Sequence, residues 1–181
     1  MRSHPEILAR QTLAKTKLFH IEQLDLKFSN GTMVQFERMC GSPHGAVLVI
    51  PMLDDDQVVM IREYAAGVER YELALPKGRI EKNEAPVDAA NREIMEEIGY
   101  AANSLQHLNS FSLAPGYSNQ MTHIVLARDL YEQSAQGDEP EPIETEIWHL
   151  SELAELIKHP EMTEARTIAA LYMARDVLSS M

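Results

Sequence analysis

At 181 residues the chain is long enough for one well-cored domain with a small subdomain attached. A hydrophobic content of 45% excludes the disordered and fibrous classes. With 28 acidic against 16 basic residues, and a formal net charge of −12, the chain has no basic stripe to displace counterions from a nucleic-acid backbone; an anionic partner must be met locally, by metal and a few Arg or Lys residues.

The N-terminal stretch MRSHPEILARQTLAKTKLFH lacks an apolar run of signal-peptide length. No segment approaches a membrane span, so the cytoplasm is the expected compartment. Phe19, Ile21, Leu24, Leu26 and Phe28 alternate apart from a slip at Glu22-Gln23, and Met33 to Arg38 returns as the second strand of a hairpin. Asn30-Gly31 is expected to supply a tight primed turn between them. Cys40 is the only cysteine, which rules out an intrachain disulfide and suits a reducing compartment. Gly41-Ser42-Pro43-His44-Gly45 reads as a linker, dividing an N-terminal β subdomain (residues 1–44) from a main domain (45–181).

Ala46 to Ile50 is a short continuous apolar run, expected as a strand buried on both faces. Asp54-Asp55-Asp56 makes a polar turn before a strand from Val58 to Tyr64, and Arg70 to Leu75 forms a further strand. A helix follows over residues 86–98, with Pro86 in its first turn and Gly99 as its stop. Leu105 to Leu113 and Thr122 to Ala127 read as strands flanking the turn Pro115-Gly116-Tyr117-Ser118-Asn119. An acidic stretch, Gln133 to Glu146, precedes a strand at Ile147 to Leu150. Ser151 is the expected N-cap of a helix reaching Lys158. The last helix, Thr163 to Leu178, buries Ile168, Leu171, Tyr172 and Leu178. Strands interleaved with helices give an α/β or α+β class.

The segment GRIEKNEAPVDAANREIMEEIGY, residues 78–100, is the most informative. On a helix, Glu93, Glu96 and Glu97 share one face at i, i+3 and i+4, while Val87, Ala90, Ile94 and Ile98 form the opposite, core-facing stripe. Crowded carboxylates destabilise a bare helix but suit a hard divalent cation, which takes oxygen ligands. A solvated acidic face is the bland alternative, and the full spacing decides against it. The pattern G-x5-E-x7-R-E-U-x-E-E-x-G, with U aliphatic, is matched at every fixed position, and chance produces it on the order of once in a billion start positions.

That pattern identifies the chain as similar to the Nudix hydrolases. The one small departure is Tyr100, where the family usually has an aliphatic residue. The resemblance implies an α/β/α sandwich with a mixed sheet, cleavage of nucleoside diphosphates linked to another moiety, and a Mg²⁺ cofactor, with Mn²⁺ as the alternative and two or more ions. It implies Glu93 and Glu97 as metal ligands, Glu96 completing the cluster, and a backbone carbonyl of Lys77 or Gly78 as a further ligand. Glu84 and Arg92 support the geometry of the loop and helix, as does Gly78. For the residue that activates water, Glu141 is the first choice and Glu139 the second, both in the acidic stretch, with Glu96 as the fallback.

Further matches, including Ile61-Arg62-Glu63-Tyr64-Ala65, Tyr71-Glu72-Leu73 and Gly137-Asp138-Glu139-Pro140-Glu141-Pro142, resemble the branch of NudE-type ADP compounds hydrolases and ADP-ribose pyrophosphatases. This branch implies a small nucleotide substrate (ADP-ribose, diadenosine oligophosphates or NADH), AMP as a product, and a homodimer built on residues 1–44. It places substrate contacts at Arg62 and Glu72, with Arg70 and Lys77 as candidates for phosphate pairing, against the alternative of solvated charges. Gly116-Tyr117-Ser118-Asn119-Gln120 ends in glutamine where ADP-ribose specialists carry glutamate, which points to the broader ADP-compound specificity. Tyr117 is a candidate for stacking on adenine. The alternatives are a housecleaning nucleoside triphosphatase with the same metal chemistry and a nucleotide-binding regulator without catalysis.

Overall fold

A computed structural model describes residues 3–137 and 139–180. The chain divides into two compact units: Met1–Gly45 with Ser112–Met121, and Ala46–Phe111 with Thr122–Met181. Among the described residues no helix is long and apolar enough to cross a membrane.

The first unit is a three-stranded antiparallel sheet of β1 (Glu6–Lys15), β2 (His20–Lys27) and β3 (Met33–Met39), in that order. The expected hairpin is β2–β3; β1 is an addition to it. Strand β1 pairs with β2 through two register shifts, at Ile7/Ala9 and Thr12/Ala14, and such bulges erase the period-two pattern that would announce a strand. The slip at Glu22 is also explained. Glu22 is buried beside Leu24, and Arg38 Nε donates to its carboxylate at 2.6 Å.

The turn between β2 and β3 differs from the primed turn expected. Gly31 N–H donates to Phe28 O at 2.9 Å, and only Gly31 of the Asn30-Gly31 pair has positive φ (85°). This is a three-residue loop in which glycine takes the left-handed position after a type I turn, and Asn30 Oδ1 instead accepts from Thr32 N–H. In the returning segment, Met39 N–H donates to Tyr117 O at 2.8 Å and Ser42 N–H donates to Gln120 Oε1 at 2.8 Å. Gln120 Nε2 donates in turn to Met121 O, which a glutamate could not do.

The second unit contains β4 (Ala46–Pro51), β5 (Gln57–Ala65), β6 (Arg70–Ala74), β7 (Lys77–Arg79), α1 (Pro86–Glu97), β8 (Tyr100–Ser112), β9 (Met121–Glu132), β10 (Glu144–His149), α2 (Leu153–Leu156) and α3 (Ala165–Leu178). One sheet has the order β7-β4-β9-β8, with β4 and β9 parallel and β4 and β7 antiparallel; a second runs β10-β5-β6. Strand β4 explains the layering. Its side chains alternate, so Val47 and Val49 join Ala90 and Ile94 of α1, while Leu48 and Ile50 join Leu171 and Ala174 of α3. Strand β9 repeats this with Val125 and Ala127 on one side, Ile124 and Leu126 on the other. The result is the α/β/α sandwich with a mixed sheet.

Three local expectations are corrected. Strand β8 begins at Tyr100, directly after Gly99 ends α1 with a φ of 74°, and β10 begins at Glu144, inside the acidic stretch. Ser151 caps no helix: its N–H and hydroxyl both donate to Asp56, at 2.8 and 3.0 Å, and the chain makes a 3-10 turn (Leu150–Glu152) before the single turn of α2.

Candidate active site

Helix α1 presents two faces, and both are covered. Ala89, Ala90 and Ile94 pack into the core, while Glu93 and Glu97 are buried to 7% and 8% exposure against the loop that includes β7. Lys77 N–H donates to Glu97 Oε2 at 3.1 Å. Gly78 lies so close to Glu93 that a Cβ there would displace the carboxylate from its place beside Arg92.

Arg92 organises the rest of the cluster. Its Nε and Nη2 clasp both oxygens of Glu84 at 2.9 and 3.1 Å, and Nη2 also donates to the Arg79 carbonyl at 2.9 Å. Its Nη1 donates to Glu93 Oε1 at 2.8 Å and Glu96 Oε2 at 3.0 Å. Glu84 accepts additionally from Glu81 N–H at 2.8 Å, so it closes the loop before the helix. The Arg92 bond holds the Glu84 carboxyl below the usual carboxylate range.

Glu93 and Glu97 are perturbed in the other direction. Burial pushes the Glu97 carboxyl up to about 8, against the opposing pull of Lys77, and burial likewise raises Glu93 despite Arg92. Glu96 and Glu139 add to the rise at Glu93 by charge repulsion. A pair of buried carboxylates is costly to ionise unless a cation joins it. Among the described residues no three acidic or histidine side chains converge as a ready ligating group, and Arg92 engages Glu93 and Glu96. The donor set nevertheless suits a hard divalent ion: clustered carboxylate oxygens, raised by burial, beside a glycine backbone.

The acidic loop meets this cluster. Glu139 and Glu141 line a cavity of about 330 Å³ together with Glu96 and Glu97. Glu141 Oε1 accepts from the Tyr71 hydroxyl at 2.6 Å. Asp138 lies outside the described residues.

The four residues expected on the substrate side occupy different places. Lys77 and Glu72 line a second cavity, of about 460 Å³, with Tyr64, Val68, Thr163 and Arg166. Arg70 Nε donates to Glu72 Oε1 at 2.6 Å, and Thr163 Oγ1 donates to Glu72 Oε2 at 2.8 Å. Lys77 Nζ donates to Glu63 at 2.7 Å. Arg62 is engaged by Glu161, Glu146 and Glu144 at 2.8, 2.9 and 3.3 Å. Sequence reasoning gave no site role to Tyr71, Thr163 or Arg166, which no spacing connects to the motif. Only the fold brings them near it.

Two family models match the chain: the NudE-type Nudix hydrolase N-terminal domain over residues 5–38, and the NUDIX domain over residues 42–171. The chain belongs to the Nudix hydrolases. Among Nudix relatives it is 44% identical to "ADP compounds hydrolase NudE" of Escherichia coli (strain K12), over 96% of this chain and 93% of that one. It is 30% identical to "ADP-ribose pyrophosphatase" of Bacillus subtilis (strain 168), over 91% of each. A crystal structure of an ADP compounds hydrolase superposes with a TM-score of 0.93 at 42% identity, covering 99% of this chain and 97% of that one. The carboxylates of α1 are thus the Nudix helix of a Nudix pyrophosphatase.

Proposed function

We propose that this Nudix enzyme is a Mg²⁺-dependent pyrophosphohydrolase of ADP-containing compounds, cleaving ADP-ribose, diadenosine oligophosphates and NADH to AMP and the other phosphorylated half. The observation that carries the reading is the burial of Glu93 and Glu97 together behind Gly78. The names of the E. coli and B. subtilis relatives support the substrate class.

Glu93 and Glu97 would hold the metal, with Glu96 and a backbone carbonyl of Lys77 or Gly78 completing the set; two or more ions, Mg²⁺ or Mn²⁺, are proposed. An ion held by these residues would neutralise phosphoryl oxygens and lower the pKa of water. Arg92, anchored by Glu84, fixes the rotamers of Glu93 and Glu96. The proton acceptor is Glu141, steadied by Tyr71; Glu139 and Glu96, which line the same cavity, are the alternatives. Lys77 and Glu72 border the space for the substrate, Arg70 orients Glu72, and Arg62 braces the neighbouring strand.

The working form is a cytoplasmic homodimer acting on small nucleotides, not on nucleic acid or membranes. Exposed Ile7, Leu13, Phe28, Met33 and Phe36 on the N-terminal sheet support self-association. The purified protein is tested by measuring AMP from ADP-ribose, NADH and diadenosine triphosphate with and without Mg²⁺. AMP release that depends on the metal is expected. Turnover without metal, or none with any of the three, overturns the proposal, and pyrophosphate release from nucleoside triphosphates alone would replace it with the triphosphatase reading.

A further inference from the structure

The β8–β9 end of the mixed sheet carries a cluster that the hydrolytic chemistry does not use. His107 Nε2 lies 3.1 Å from Ser110 Oγ, Ser110 Oγ lies 3.0 Å from His123 Nδ1, and the two imidazole nitrogens are 3.3 Å apart. The same ring nitrogen of each histidine makes both contacts, so three donor atoms stand at the corners of a nearly equilateral triangle. The rings are tilted by 50° with centroids 5.3 Å apart. Hydrogen bonding serves such a triangle poorly. With both imidazoles neutral and one N–H turned inward, the three edges share two protons, and at least one nitrogen lone pair faces the same small space.

We propose that His107 and His123 form a binding site for a borderline-soft divalent transition metal of the Zn²⁺ class, with the Ser110 hydroxyl or water completing the shell. The geometry suits it. At Zn–N distances of about 2.0–2.1 Å, nitrogens 3.3 Å apart subtend about 107° at the ion, close to a tetrahedral angle. Imidazole donors select Zn²⁺, Cu²⁺ or Ni²⁺, whereas carboxylate oxygens suit Mg²⁺, so the two sites differ in the ion they prefer. Burial and the neighbouring His107 hold the His123 imidazole below its ordinary value, which keeps its lone pair available at neutral pH. Among the described residues no third His, Cys, Asp or Glu joins the pair, so coordination is open and binding exchangeable. The sheet order β7-β4-β9-β8 separates the histidines from β7, whose Lys77 contacts Glu97.

The test titrates Zn²⁺ into the full-length enzyme held in excess Mg²⁺, for wild type, His107→Ala and His123→Asn. Wild type is expected to take up one more equivalent of zinc than either variant, or to bind it roughly tenfold or more tightly, as loss of one of two ligands dictates. Zinc should raise the Tm of wild type above that of either variant, because it binds only the folded site. Mg²⁺-dependent hydrolysis should be unchanged in both variants. Equal zinc uptake and equal Tm response in all three proteins overturn the site. Should a variant fail to fold, Cu²⁺ added to wild type decides: splitting from two imidazole nitrogens in its electron paramagnetic resonance spectrum supports the pair, and its absence overturns it.

Discussion

Glu97 combines two properties that are rarely compatible, since its carboxyl is buried and yet belongs to a cluster of like charges. Removing its charge should therefore separate activity from stability. Glu97→Gln is expected to lower kcat on the order of 10³-fold. In the absence of metal its Tm should equal or exceed that of wild type, because a buried ionisable group with a pKa raised to about 8 is a liability when unpaired. Steady-state kinetics and thermal unfolding check the two halves. Glu84 is the opposite case. Its carboxyl is held below the unfolded value by Arg92, so the pair stabilises the protein above about pH 4.5, and that contribution vanishes as pH falls through the folded pKa. Glu84→Gln should cost about 1–3 kcal/mol at pH 7 and nearly nothing once wild-type Glu84 is protonated. Denaturant unfolding across that window measures the difference; a constant cost at all pH values would contradict it.

Helix α1 is a platform whose position depends on its apolar side. Ile94 is fully buried between Val49, Val125 and the helix alanines. Ile94→Ala should cost about 2–5 kcal/mol of stability, measured by denaturant unfolding. The acidic loop before β10 supplies the competing acids of the same cavity. Substituting each by glutamine should single out the proton acceptor as the one whose kcat falls by about 10²–10⁴ with KM little changed. Glu141 is the expected residue, and a loss confined to Glu139→Gln would move the role there. Tyr71 holds Glu141 by a 2.6 Å bond, an ordering that loop composition alone does not reveal.

For the whole molecule, the N-terminal sheet exposes Ile7, Leu13, Met33 and Phe36, and apolar side chains grouped on one element suit a protein–protein contact. Phe36→Glu, which places a charge among those residues, is expected to convert a dimer into a monomer by sedimentation. A wild type that sediments as a monomer at assay concentration would remove the dimer from the proposal.

Much of this architecture was legible in the residues, and the failures have physical causes. The apolar run at Ala46 to Ile50 and the spacing from Gly78 to Gly99 announce a buried strand and a capped helix because they depend only on local periodicity and backbone limits. Strand β1 escaped notice because its two bulges break that periodicity. Ser151 misled because its hydroxyl found Asp56, 95 residues away, in place of the helix end. By itself the sequence determined the family and the helix that carries the acidic cluster, since both are written in residue type and spacing. Tertiary structure alone decided that Glu93 and Glu97 are buried, that Arg62 is engaged by three glutamates, and that His107 meets His123. Burial and long-range pairing depend on which distant segments pack together, and no local pattern encodes that.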